Sequence, residues 1–273
     1  MDHSPRRRRP DDLSGRALNR ARQVCVAGAI GAAAVGGAYW TFMSPYSQLL
    51  GVFPYRARTS ERVVALTFDD GPNEPYTSQI ADYLDAERVK ATFFQVGRAV
   101  RRYPEVTLRL AAAGHVIGHH GNDHQFGRYL RPTTLSNDLL KADAVFADVG
   151  FLPALYRPPW LVRIPSLGPI LRGRQMTVVS GEFCHPLEVF QPAPERIARR
   201  ALGMIGPGSI VIFHDGFDGR DGNRANTVKA VKIVVEQLKD RGFQFTTVDQ
   251  LLGIAAYRPG PDQKSAGRDQ RSR

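Results

Sequence analysis

From Arg62 onward, short apolar runs alternate with longer stretches whose apolar positions recur at helical spacing. The runs predict strands at Val63–Phe68, Ala91–Val96, His115–Gly118, Ala154–Arg157, Met176–Val179, Ser209–Phe213 and Gln244–Thr247. The stretches between them predict helices at Tyr76–Ala86, Val100–Ala113, Thr134–Val149, Ser166–Arg172, Pro194–Leu202 and Thr227–Arg241. Gly114 and Gly242 fall just past two of these helices, where a left-handed residue closes the last turn. Strands interleaved with helices imply parallel pairing through crossover connections. About seven such units point to an α/β fold, a closed or nearly closed β/α barrel rather than an open sheet. Polar residues sit where the runs stop: Asp69 and Asp70 after Phe68, His119 and His120 after Gly118, Arg157 after Tyr156, and His214 after Phe213. In a parallel barrel all strand C-termini open on one face, so these residues are expected to converge in one cleft.

The first sixty residues read differently. Residues 1–22 hold seven Arg against three Asp, and an uncharged stretch runs from Gln23 to Tyr55. Residues 23–43, with their apolar heart at Val24–Met43, match the roughly 20 residues that span a bilayer as a helix. Positive charge before the span predicts a cytoplasmic N-terminus and an external domain, with Tyr39 and Trp40 at the far interface. A secretory signal cut after Gly36-Gly37-Ala38 would also place the domain outside. A buried core helix fits poorly with the basic flank. Residues 44–61 read as a linker, 62–257 as the folded domain, and 258–273 as a polar, disordered tail. The net charge of +11 lies largely at the two ends, and the central part carries no basic stripe interleaved with aromatics, which argues against nucleic-acid binding. Cys25 and Cys184 fall in different parts of the chain, so neither a disulfide nor a cysteine zinc site is expected.

Adjacent carboxylates repel, so Asp69-Asp70 gains stability only if a cation neutralises one and the other serves as a base. Four of the seven histidines lie between His115 and His124. His115 is expected to open its strand, exposed and structural, and His119 to support its neighbours from behind. The spacing of His120 and His124 suits two metal-ligating imidazoles. With one carboxylate they form a set that fits Zn²⁺ with an open position, and other divalent first-row metals as well. A bound divalent ion lowers the pKa of its water toward neutrality, the second aspartate can take the proton, and His214 can protonate a leaving group.

These residues resemble the motifs of the polysaccharide deacetylases, the NodB-homology family or carbohydrate esterase family 4. Thr67-Phe68-Asp69-Asp70-Gly71-Pro72 resembles the first motif, His120-Gly121-Asn122-Asp123-His124 the His-(Ser/Thr)-x-x-His motif, Arg157-Pro158-Pro159-Trp160 the Arg-Pro-Pro-aromatic motif, and Phe213-His214 the last histidine motif. The likeness runs from Arg62 to Leu252. It implies a deformed (β/α) barrel that removes N-acetyl groups from an amino-sugar polysaccharide, such as cell-wall glycan or a chitin-like oligomer, with one divalent ion, Zn²⁺ or another first-row metal. By position, Asp70, His120 and His124 would hold the metal, Asp69 would be the base and His214 the acid. Arg157 would orient the base, and the Trp160 backbone N–H would help stabilise the oxyanion while its ring faces the sugar. A same-fold esterase or formamide hydrolase, and a non-catalytic glycan-binding module tethered to the membrane, are the rival readings.

Several positions depart from the pattern. Gly121 stands where Ser or Thr is usual, His119 where Asn is frequent, and Leu161 where Gly follows the aromatic. The family's Asp-x-x-Asp-Trp segment is not recognisable in Val179–Pro186, which leaves Glu182 or His185 to orient His214. Phe183, Phe190 and Phe217 are available as ring faces for sugars.

Overall fold

The computed structural model describes residues 10–259, so the first nine residues of the basic segment and all of the expected tail beyond Pro259 lie outside the described residues. Helix α1 (Pro10–Met43) leads to strand β1 (Val63–Asp69), the centre of the sheet. The chain then winds to one side of β1 through α2 (Tyr76–Ala86), β2 (Thr92–Gln95), α3 (Gly97–Arg102), α4 (Pro104–Ala112), β3 (Val116–His119), α5 (Pro132–Asp148), β4 (Leu155–Tyr156), α6 (Leu167–Gly173) and β5 (Thr177–Val178). The other side is built by β6 (Glu182–Phe183), α7 (Pro194–Met204), β7 (Ile210–His214), α8 (Ala225–Asp240), β8 (Gln244–Phe245) and α9 (Val248–Leu252). All strand pairs are parallel, in the order β5-β4-β3-β2-β1-β7-β6, and β8 adds to the start of β1. The end strands β5 and β6 do not pair, so the barrel is curled and deformed rather than closed.

Alternation along β1 sorts the core. Val64, Leu66 and Phe68 face outward and pack with Ile80, Leu84, Ile197, Ala201, Val231 and Val235 of the covering helices. The Phe68 ring lies 4.9 Å from Phe93 and 5.9 Å from Phe213, tying three adjacent strands together. Thr67 and Asp69 face the barrel interior, where they meet Arg157.

The observed elements differ from the expected ones at points with clear physical causes. The single helix expected over Val100–Ala113 breaks at Tyr103, because Pro104 has no N–H to donate and pushes the preceding residue out of the helical region (φ −131°, ψ 58°). Two short elements escaped notice, β6 with two residues and α9 with five, because neither is long enough to show a period. His115 is buried rather than exposed: its Nδ1 accepts the Ala91 N–H at 3.2 Å, and burial, opposed by Asp85, lowers it to about 4.

The stretch Arg22–Met43 of α1 is long and apolar enough to cross a membrane, and its most apolar window is not buried at all, which removes the buried-helix reading. The segment read as a linker is not a free tether. Ser44, Pro45, Ser47 and Phe53 are buried against the domain. Arg163, buried beneath them, explains why: its backbone N–H donates to Phe42 O at 2.9 Å. Its guanidinium donates to the carbonyls of Ser44 and Ser47 and to Ser180 Oγ, and stacks 4.4 Å over the Phe53 ring. A guanidinium so buried is tolerated only when its donors find partners, so the chain after α1 is held in place by the charge it covers.

Candidate active site

The cleft opens at the C-terminal ends of the strands. β1 ends on Asp69, which lies beside His214 of β7 in the parallel register. By strand alternation Asp70 would point away from Asp69, into the helix layer. Instead Asp70 takes a left-handed bend (φ +78°), which swings its carboxylate to the same opening. That conformation costs a non-glycine residue roughly 1–2 kcal/mol. Such local strain persists where the surroundings over-determine it, typically at functional sites.

The two carboxylates have separate partners. Asp69 Oδ1 accepts Arg157 Nη1 at 2.6 Å. Arg157 is fully buried; it also donates to Thr67 Oγ1 at 2.7 Å and Ser180 O at 2.8 Å, and lies 4.1 Å over the Phe94 ring. Asp70 Oδ1 instead faces His120 Nε2 at 3.3 Å and His124 Nε2 at 3.0 Å. Its other oxygen accepts the Asp218 N–H at 3.0 Å.

The chemistry of these three atoms calls for a cation. His120 Nδ1 lies 2.8 Å from Arg157 O, and a carbonyl can only accept, so the hydrogen is on Nδ1. His124 Nδ1 lies 2.9 Å from the Asp218 carboxylate, an ion-pair contact whose angle does not make a hydrogen bond. The His120 Nε2 lone pair therefore points at Asp70 Oδ1, a buried oxygen with no hydrogen-bond donor, and His124 Nε2 faces the same oxygen. The three ligand atoms lie within 4.8 Å of one another. Acceptors converging in this way repel unless a proton or a metal ion lies between them, and two imidazoles with one carboxylate form a set suited to Zn²⁺. Without a metal ion, burial disfavours the charged form of His124, but Asp70 and Asp218 outweigh it and raise the imidazole to about 9. Burial likewise opposes ionisation of Asp70, and His124 and His120 together hold its carboxyl well below the usual carboxylate range.

His214 faces the cleft from β7. Its Nδ1 contacts Glu188 Oε2 at 2.7 Å, and the other oxygen of Glu188 is held by the Thr227 hydroxyl. Burial pulls His214 down, but Glu188 first, then Asp70 and Asp69, raise it to about 9. Neither residue expected to orient His214 does so. Glu182 faces away from the cleft, on the other side of the sheet, paired with Arg56 at 3.0 Å and Ser209 Oγ at 2.7 Å. A strand residue one position before Phe183 must face the other way when Phe183 stacks beside His214. His185 lines the cleft, but its Nδ1 is occupied by the Leu187 N–H at 3.0 Å. Glu188 was missed because it lies beyond the stretch compared, in a single turn of helix at Glu188–Phe190 that carries no periodic signal. Asp218 was missed because it belongs to an irregular loop after β7.

His119 is fully buried and touches no group of the cleft. Its Nδ1 accepts the Gly121 N–H at 3.0 Å, so it supports the His120 turn from behind; burial lowers it to about 3. Gly121 has φ +80°, and a Cβ there would lie 2.2 Å from Tyr129 Oη and 3.0 Å from Asp138 Oδ2. The place of the usual hydroxyl is taken by a tyrosine from the next turn. Tyr129 donates to Asp138 at 3.1 Å, and Asp138 accepts the Asn122 N–H at 2.8 Å and the Asp123 N–H at 3.3 Å. The Trp160 ring covers His124, with centroids 4.2 Å apart. Trp160 and Leu161 both have left-handed backbones (φ 50° and 55°), which accounts for glycine being favoured after the aromatic in the family pattern. Phe183, Phe190 and Phe217 line the outer cleft, which measures roughly 430 Å³.

The model of the polysaccharide deacetylase family matches residues 56–167. The chain is 32% identical over 203 residues to a peptidoglycan-N-acetylglucosamine deacetylase of Bacillus cereus, covering 74% of this chain and 93% of that protein. It is 30% identical to a chitooligosaccharide deacetylase of a Bradyrhizobium species, covering 70% and 90%. Its fold superposes on the crystal structure of a peptidoglycan N-acetylglucosamine deacetylase with a TM-score of 0.70 at 26% identity, covering 76% of this chain and 95% of that one.

Proposed function

The chain belongs to the polysaccharide deacetylase family, and from that premise we propose that it hydrolyses the N-acetyl amide of an amino-sugar glycan. The observation that carries this reading is the division of labour between neighbours. Asp69 is bound to Arg157, Asp70 is turned to two imidazoles, and His214 with its buried carboxylate lies across the opening.

Asp70, His120 and His124 would hold one divalent ion, Zn²⁺ by the chemistry of the set. That ion, when bound, would polarise the amide carbonyl and make water acidic enough to attack at neutral pH. Asp69, fixed by Arg157, accepts the proton of the attacking water. Held as an imidazolium beside the Glu188 carboxylate, His214 gives its Nδ1–H to Glu188 and presents a second, transferable proton on Nε2 to the cleft. It delivers that proton to the leaving nitrogen, without which an amine anion would have to depart. Trp160 walls the site over His124 and excludes water from the ligand set. The Trp160 backbone N–H is the candidate donor to the oxyanion, and the cleft phenylalanines are candidate sugar platforms.

The apolar helix is assigned as a signal anchor, with the N-terminus inside and the domain outside the cytoplasmic membrane; release after signal cleavage is the alternative. The test is acetate release from defined N-acetyl glycans, O-acetyl esters and formamides, with and without chelator. Asp69→Asn should keep the metal and lose turnover. Retained turnover would remove the base assignment, and bound glycan without turnover at saturating zinc would favour a binding module.

A further inference from the structure

The end of α1 is part of the cleft. Tyr39 and Met43 line it together with Asp69, Asp70, His120, His124 and His214. Tyr39 lies about 6 Å below the end of the helix at 1.5 Å per residue, so the membrane-length segment and the catalytic groups meet at one level. The junction is fixed by the Arg163 N–H on Phe42 O and by the Arg163 guanidinium on the carbonyls that follow. Ser180 Oγ adds a bond to Pro45 O at 2.9 Å. No slack chain remains to let the domain swing away from the helix end.

Exposed apolar side chains at the end of the helix, on the segment after it and at the cleft rim suit a bilayer surface. Tyr39 and Trp40 are half exposed on the helix, at the place where interfacial aromatics settle. Beyond the helix, Leu49 and Val52 are 70% and 81% exposed, and Phe190 at the cleft rim is 75% exposed. Apolar groups on a rim around a polar, cation-binding floor match a substrate with a sugar at one end and a hydrocarbon at the other. The end of the helix also forms part of the cleft wall through Tyr39 and Met43.

Resting on the deacetylase and anchor readings, we propose that the cleft works at the bilayer surface, and that its substrate is the N-acetylated amino-sugar head group of a lipid-linked saccharide in the same membrane. A wall polymer would have to thread between the domain and the lipid to reach Asp69.

The test uses the full chain, loaded with zinc, in phosphatidylglycerol–phosphatidylethanolamine vesicles. Three substrates are compared at equal N-acetyl content: polyprenyl-diphosphate N-acetylglucosamine in the same vesicles, soluble chitotetraose, and sedimented peptidoglycan. Acetate release should be at least about ten-fold faster from the lipid-linked sugar, as expected when enzyme and substrate share a surface. Equal or faster release from chitotetraose or peptidoglycan overturns this proposal and leaves the deacetylase reading intact. Release from none of the three overturns both. A second measurement needs no substrate. Trp40 and Trp160 are the two tryptophans, so Trp40→Phe leaves Trp160, in the cleft wall, as the only one. Lipids brominated near the head group should quench its fluorescence. Unquenched Trp160 in a protein that sediments with the vesicles overturns the proposal.

Discussion

Glu188→Gln isolates the most distinctive part of this site. Glu188 is buried, with one oxygen 2.7 Å from His214 Nδ1 and the other on Thr227. Burial alone would push the imidazole below its ordinary 6.5; Glu188, with help from Asp70 and Asp69, brings it to about 9. That difference corresponds to about 3 kcal/mol favouring the imidazolium. A divalent ion on Asp70 would offset that residue's share, which leaves Glu188 as the chief support. A general acid acts in its protonated form, so activity is present below its pKa and is lost as pH rises through it. Removing the charge of Glu188 while keeping its size should therefore move the basic limb of the kcat/KM profile toward acid by roughly 1–3 pH units. Turnover of an N-acetylglucosamine substrate near pH 8 should fall about 10- to 1,000-fold, the range that acid–base assistance and positioning supply. Hydrolysis of 4-nitrophenyl acetate, whose leaving group departs without protonation, should change far less. Zinc content and thermal melting serve as controls, since Gln keeps the volume and one acceptor. An unmoved basic limb, or equal losses on amide and activated ester, would refute the dyad.

Three further outcomes follow from the geometry. Gly121→Ser, which restores the residue usual in the motif, should destabilise the protein by about 2–5 kcal/mol from left-handed strain plus the collision with Tyr129. Adding Tyr129→Phe should recover part of that loss, and urea denaturation showing Gly121→Ser neutral would dismiss the substitution argument. Zinc binding at pH 7 should release protons, because His124, raised to about 9 in the empty site, must bind through a bare nitrogen. Affinity should therefore rise with pH up to about 9, and calorimetry giving the same heat in buffers of different ionisation enthalpy would contradict it. Phe68→Ala should cost about 3–5 kcal/mol, since the ring stacks on both neighbouring strands beneath the site.

Much of the molecule is written locally. Strands β1, β3, β4 and β7 are apolar runs that stop at a polar residue, and parallel pairing gathers those ends on one face. That is why Asp69, Asp70, His120 and His214 could be singled out from residue type and position, and why Tyr76–Ala86 was found at its observed bounds. The limits of such reading are also physical. The two-residue β6 and the single turn holding Glu188 are too short to show a period, and they exist because the surrounding sheet and helices hold them.

The sequence by itself determined the order of the longer strands and helices, the apolar N-terminal segment, and the residue types at the strand ends, because each depends on a few neighbouring positions. Only the tertiary structure decided the partners. It brought Glu188 to His214 and Asp218 to His124, filled the space above Gly121 with the Tyr129 hydroxyl, and set Tyr39 and Met43 in the cleft wall. These contacts join loops and elements far apart along the chain. Which of many buried carboxylates reaches a given imidazole is fixed by how the curled sheet closes and by which donors must be satisfied inside it, and no local pattern carries that information.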